Sequence, residues 1–181
     1  MKAQRAIATR YARALFETAR EAGDAEAVGR ELDGFHAVFV AQPELRQVLG
    51  RPWIKPEDRE GIARVTAERS GAGTLVRDFL ALLAGRNRID HLGEIAEVYR
   101  GLVDESRDRV RAHVQTSISL TAEERSQLGA RLERILGKHV IIEETVDPGL
   151  LGGFVARVGS LVLDGSLDGQ LARLRARLAR G

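Results

Sequence analysis

Cysteine is absent from the 181 residues. Disulfides, thiol nucleophiles, iron–sulfur clusters and cysteine zinc sites are therefore excluded. Aromatic residues make up only 4% of the chain, with one tryptophan and two tyrosines. No run of about 18 apolar residues exists, so no stretch suits a membrane-spanning helix. The first twenty residues hold Glu17 and no apolar block before a small-residue cleavage site, which argues against a signal peptide. Charge of one sign is also missing: 28 basic and 26 acidic side chains leave +2. Through Asp108 the net is −1 and beyond it +3, too little on either side for a nucleic-acid binder.

What is present is helical spacing up to about Asp108. Val28, Leu32, Phe35 and Phe39 give one narrow apolar face. Leu45, Val48 and Leu49 mark a short helix after Pro43, and Pro52-Trp53 a corner. Lys55-Pro56-Glu57-Asp58 starts a helix with proline and acids in the first turn, and Ile62 and Val65 are expected on its inner face. Leu92, Ile95, Tyr99 and Leu102 form a further amphipathic helix. The expectation is a bundle of five to six helices.

Two helices are more apolar than a surface helix requires. In 3–22, Ile7, Tyr11 and Leu15 form one face, widened by Ala8, Ala12, Phe16 and Ala19. In 74–84, Leu75, Val76, Phe79, Leu80, Leu82 and Leu83 spread as widely. Each is expected to be covered on two sides. Either both are central bundle helices, or they border a groove for a partner helix. Ala8, Ala12 and Ala14 favour the groove, because small side chains allow close approach.

The period changes at Val110. Val110, Ala112, Val114 and Thr116 alternate with polar residues, as in a half-buried strand. Thr121 to Glu124 matches a capping box, Leu128, Leu132 and Ile135 give that helix its face, and Gly137 suits its C-terminal cap. Val140 to Val146 is a second strand. Asp147-Pro148-Gly149 is a turn. Phe154 to Val158 and Leu161 to Leu163 form a hairpin around Gly159-Ser160. Asp164-Gly165-Ser166 turns into a last helix with the stripe Leu167, Leu171, Leu174 and Leu178, followed by Arg173, Arg175, Arg177 and Arg180. The fold class is therefore α+β: an all-α bundle over 1–105, then a small α/β domain over 106–181. Asp104 to Asp108, five polar residues, is a linker or a helix extension.

Chemistry is sparse. Gly152 and Gly153 precede a strand rather than a helix, so they suit turns and close backbone approach, not a phosphate cradle. His36, His91, His113 and His139 lack the spacing of helical metal ligands, so no metal and no cofactor are expected. Glu143 and Glu144 alternate on one strand and suit a solvated strand end. The aromatics lie on apolar helix faces, which makes them core rather than a stacking platform for bases. No catalytic residue emerges and no small-molecule substrate is indicated. An RNA-binding α/β module and a small enzyme remain the alternatives from residues alone.

The order of these pieces resembles a family. Tyr11-Ala12-Arg13-Ala14-Leu15-Phe16 is similar to the opening signature of the delta subunits of F-type ATP synthases, counterparts of the mitochondrial oligomycin-sensitivity-conferring protein. Leu82-Leu83 to Arg88-Ile89 and Tyr99 resemble its middle segment. The most specific similarity is Val146-Asp147-Pro148, Leu151-Gly152-Gly153-Phe154, Arg157-Val158-Gly159 and Asp164-Gly165-Ser166 with Leu171 and Leu174. Gln115 to Leu120 departs from the family, which often carries an Ala-Pro-Leu sequence there. The resemblance implies a non-catalytic stator subunit without cofactor. Its bundle would hold the N-terminal helix of an alpha subunit, and its second domain would meet the b subunits of the peripheral stalk. On this reading Ile7, Tyr11, Ala14, Leu15, Leu75, Phe79, Leu82 and Leu83 line the groove, and Phe79→Asp abolishes head binding with the fold intact. Leu174, Arg175 and Leu178 would face the stalk. The implied location is peripheral, on the cytoplasmic side of a bacterial inner membrane.

Overall fold

A computed structural model of the chain describes residues 2–51 and 53–178, with side chains left out at 2–4, 176 and 177. The corner at Pro52, the side chain of Arg177 and the expected arginine at 180 lie outside the described residues. The chain divides into two compact units, Met1–Val103 and Asp104–Gly181.

The first unit is all helical: α1 (Lys2–Glu21), α2 (Ala25–Ala41), α3 (Pro43–Gly50), α4 (Pro56–Arg69), α5 (Thr74–Gly85) and α6 (Leu92–Ser106), with a 3-10 turn at Ile89–His91. Proline opens α3 and α4, where its missing N–H costs nothing. Val28, Leu32, Phe35 and Phe39 all point into one core, joined by Leu49, Ile89, Leu92, Ile95 and Tyr99. The Tyr99 ring packs edge-on to Phe16 at 6.0 Å, and its hydroxyl donates to the Ala25 carbonyl at 2.9 Å. Burial pushes the Tyr99 phenol up to about 12.

Two expectations for this unit are corrected by its packing. Ala8 and Ala12 are fully buried in the chain's own core, so their small size serves helix packing inside the bundle; only Ala14 of the three is exposed. Val65 is exposed, and the inner face of α4 is instead Arg59, Ala63 and Ala67, with Ile62 partly buried. Arg59 is the surprise: it is 4% exposed and donates to Asn87 Oδ1 at 2.8 Å and to the Gly85 carbonyl at 3.2 Å. A cation fits there because the end of α5 collects unpaired carbonyls and negative dipole.

The second unit is a four-stranded sheet with order β2-β1-β3-β4. Its strands are β1 (Arg109–Thr116), β2 (His139–Val146), β3 (Phe154–Val158) and β4 (Leu161–Asp164). α7 (Ala122–Leu136) is the crossover that makes β1 and β2 parallel; the other pairs are antiparallel. α8 (Leu167–Leu178) closes the description. Thr121 and Glu124 form the capping box, and Gly137 ends α7 at φ 67°. The side chains of Val114, Ala112 and Ala156 are buried beside Leu128 and Leu132. Ile135, expected on that face, is exposed and Leu136 packs in its place. The helix's inward stripe ends one position later than a simple three-step count gives.

Asp104 to Ser106 are the last residues of α6, so this polar stretch is a helix end. Asp104 is 4% exposed. Its carboxylate accepts from Arg111 Nε at 2.5 Å, and Arg111 Nη1 reaches Glu143 at 2.6 Å. Burial opposes the charge on Arg111, but the hydrogen bonds to Asp104 and Glu143 outweigh it and hold the guanidinium above its ordinary value. Glu143 and Glu144 do point to opposite faces, yet neither is a bare solvated end. Glu144 accepts the Leu120 amide at 2.6 Å and pairs with Arg125. The Leu120 amide first, and then Arg125 and the Thr116 hydroxyl, hold its carboxyl below the usual range.

Candidate partner-binding faces

On α1 and α5 the singled-out residues separate cleanly by position. Ile7, Tyr11 and Ala14 stand at i, i+4 and i+7 on α1 and line one face. Leu75, Phe79 and Leu82 repeat that spacing on α5. The Tyr11 and Phe79 rings meet edge to face, with centroids 6.4 Å apart and planes at 68°. Around them Ile7 and Leu75 are half-buried, Ala14 is exposed, and Leu82 is 43% exposed. Leu15 and Leu83 lie one position further round and turn into the core, at 3% and 0% exposure. They back the walls and present nothing outward, a correction to the groove as drawn from sequence. Phe79 is itself only 9% exposed and part of the core cluster. A charge placed there strikes the bundle, so Phe79→Asp does not leave the fold intact.

In the second unit the last helix carries its apolar stripe uncovered. Leu167, Leu171, Leu174 and Leu178 are 47%, 49%, 54% and 82% exposed, and Arg175 is exposed beside them. The start of α8 is nonetheless fixed. Ser166 is its cap, accepting the Gly169 amide at 3.0 Å. Asp164 accepts the Ser166 hydroxyl at 2.6 Å and its amide at 2.9 Å, and these two bonds hold the Asp164 carboxyl below its ordinary range. Gly153, at φ +81°, sits so close that a Cβ would press into the Gly165 carbonyl oxygen. Asp147 holds the preceding turn by accepting the Gly149 amide at 2.9 Å, with Pro148 between them. Gly152 accepts the Leu167 amide at 3.0 Å. The glycines thus make turns that anchor a helix.

Among the described residues no group of three or more histidine, aspartate or glutamate side chains could hold a metal ion. The sequence did not point to Arg59 or to Asp104 with Arg111. Their only signal was a charged residue on an otherwise apolar helix position or at a helix end, which solvated residues share.

Two units that each leave apolar helix surface open have the construction of an interaction subunit. Comparison with known proteins gives the particular family. The family model for ATP synthase delta (OSCP) subunits matches residues 7–178. Relatives named ATP synthase subunit delta include that of Syntrophobacter fumaroxidans, 37% identical over 175 residues, 97% of this chain and 96% of that one. The Myxococcus xanthus protein is 38% identical over 174 residues, covering 95% and 96%. That of Anaeromyxobacter sp. strain Fw109-5 is 40% identical over 172 residues, again 95% and 96%. A chain in the cryo-EM structure of the Toxoplasma gondii mitochondrial ATP synthase hexamer shares the fold, with TM-score 0.66 over 95% of this chain and 97% of that one, at 23% identity. The chain belongs to the ATP synthase delta (OSCP) subunit family: it is a stator component of the synthase, a structural subunit and not an enzyme. That complex is membrane-associated, while no helix among the described residues is long and apolar enough to cross a membrane.

Proposed function

We propose that the α1–α5 face receives the N-terminal helix of an ATP synthase alpha subunit, and that α8 meets the b subunits of the peripheral stalk. The two attachments hold the catalytic head against rotation while the rotor turns. One observation carries the reading: two helices repeat the same i, i+4, i+7 apolar triad around the Tyr11–Phe79 contact, and the outer members Ala14 and Leu82 remain exposed. An amphipathic helix laid there would cover Ile7, Leu75 and Leu82. Apolar burial suits a joint under torque, because it does not weaken with salt as surface ion pairs do. The open stripe of α8 is the support for the stalk end, with Leu174 and Leu178 as contacts and Arg175 at the rim. The protein would be held peripherally on the cytoplasmic side of a bacterial inner membrane through these partners.

The test is calorimetric titration of the full chain with a peptide copying the first twenty-odd residues of an alpha subunit. Saturable one-to-one binding with a negative heat-capacity change is expected. Leu82→Ala removes the burial of a leucine already partly covered, worth about 0.5–1.5 kcal/mol of the usual 1.5–3. Affinity should fall about three- to tenfold. Leu82→Asp leaves an unpaired carboxylate in the interface and should reduce affinity at least a hundredfold, with the melting temperature held. Unchanged affinity in Leu82→Asp overturns the α1–α5 assignment.

A further inference from the structure

β2 lies at the edge of the sheet, and among the described residues it pairs only with β1. In a parallel ladder the amide and carbonyl of each residue point to the same neighbour, and successive residues alternate sides. His139 and Asp147 donate to the Asp108 and Thr116 carbonyls, on the β1 side. The Val140 amide points the other way, to Glu133 Oε1 at 3.1 Å. The parity therefore directs the amides and carbonyls of Ile142, Glu144 and Val146 outward, and those amides have no side-chain acceptor among the described residues. Unpaired edges invite strand addition, and proteins usually block them. Here the block covers one end only: Glu133, which also pairs with His139 Nδ1 at 2.5 Å, occupies Val140.

Beside the open part runs a groove of about 680 Å³ between α7 and β2. Ala122, Ser126, Gly129 and Ala130 form its α7 wall, and Leu120 and Ile142 its apolar floor. These small residues leave room for side chains arriving on that face. Arg125 stands at the Glu144 end, its side chain 47% exposed, and its ion pair with Glu144 uses Nη2 alone of a guanidinium with five donor N–H groups.

We propose that the β2 edge takes an extended segment of a neighbouring subunit of the synthase as a fifth strand. Its main chain pairs with Ile142, Glu144 and Val146. Its alternate side chains are apolar and lie in the α7 groove, and an acidic residue meets Arg125. Strand addition draws its affinity from the main chain and its selectivity from the alternating side chains. This surface is separate from both faces proposed above and requires neither of them.

The test compares residue-resolved hydrogen exchange in the free full-length protein and in the intact ATP synthase. In the free protein the Ile141, Glu143 and Thr145 amides exchange slowly and those of Ile142, Glu144 and Val146 rapidly. On assembly the second set slows by about a hundredfold or more. Equal rates for Ile142, Glu144 and Val146 in both states overturn the proposal. A helix lying across the edge could also slow exchange, so Val146→Pro provides the second arm. It removes one outward N–H at the end of an edge strand, where proline is tolerated. The free variant should melt as the parent does, and its synthase should lose protection at Ile142 and Glu144, while Val146→Thr retains it. Parent-like protection in the proline variant overturns strand pairing in favour of cover by a helix.

Discussion

Gly153→Ala and Gly159→Ala form a matched pair that separates backbone strain from close approach. Both glycines have positive φ, +81° and +57°. Alanine in the left-handed region costs about 1–2 kcal/mol, partly offset by about 0.4–1 kcal/mol from a less flexible unfolded chain. At Gly159 nothing lies within 4 Å of an added Cβ. That variant should lose about 1 kcal/mol or less. At Gly153 the Cβ would press into the Gly165 carbonyl oxygen and meet Ser166 Cα at 3.0 Å. Both neighbours are backbone, so the turn must open. The bonds at risk are Gly165 N–H to Phe154 at 2.9 Å, Leu167 N–H to Gly152 at 3.0 Å, and the Ser166 cap on α8. At about 0.5–1.5 kcal/mol for each of the two bonds and about 1 for the cap, with up to about 1 kcal/mol of net backbone strain added as at Gly159, the expected loss is about 2–5 kcal/mol. Trp53, Tyr11 and Tyr99 all precede residue 104, so fluorescence does not report on the second unit. Amide exchange at Ala112 and Val114 in the full-length protein does. Similar small losses in both variants would refute the close-approach argument.

Arg59→Met keeps the volume but strips the donors from Gly85 and Asn87; it should cost about 1.5–3 kcal/mol in urea unfolding followed by circular dichroism, and a neutral result would show the buried cation to be dispensable. Tyr99 sets an alkaline limit: unfolded tyrosine ionises near 10 and the folded phenol near 12, so stability falls as pH rises through that interval, and Tyr99→Phe should flatten the slope. The acid side follows from Glu144, Glu124 and Asp164, whose folded carboxyls are held low by hydrogen bonds from Leu120, Thr121 and Ser166 respectively. Their contribution is complete above the ordinary carboxylate value of about 4 and is lost as pH falls through the lower folded values, so urea midpoints of the second unit should drop below about pH 5, and less steeply in Glu144→Gln.

Features governed by nearest neighbours along the chain were readable without the fold. The Thr121–Glu124 box, the Gly137 cap, the Gly159-Ser160 hairpin and the Ser166 cap each depend on a few adjacent residues. The stripe of α2 was also plain, because four large apolar residues leave one possible inward side. Readings failed where two sides of an element compete for burial. On α4 the alanines won the inward position and Val65 lost it, because Arg59 needed the carbonyls at the end of α5. No count of apolar residues contains that requirement.

The same distinction governs the candidate sites. Periodicity established that α1 and α5 are apolar on two sides, but not which side the chain itself covers. The structure assigns Ala8, Ala12, Leu15 and Leu83 to the interior and leaves Ile7, Ala14, Leu75 and Leu82 with accessible surface. Small size at Ala8 and Ala12 was therefore evidence of close packing, though with the chain's own helices. For α8 the spacing gave the stripe of leucines but not what covers it, and all four are open. A helix with a fixed N-terminal cap and an uncovered stripe can hold its apolar face in position before a partner arrives. It gives up less ordering entropy on binding than a segment that must first fold.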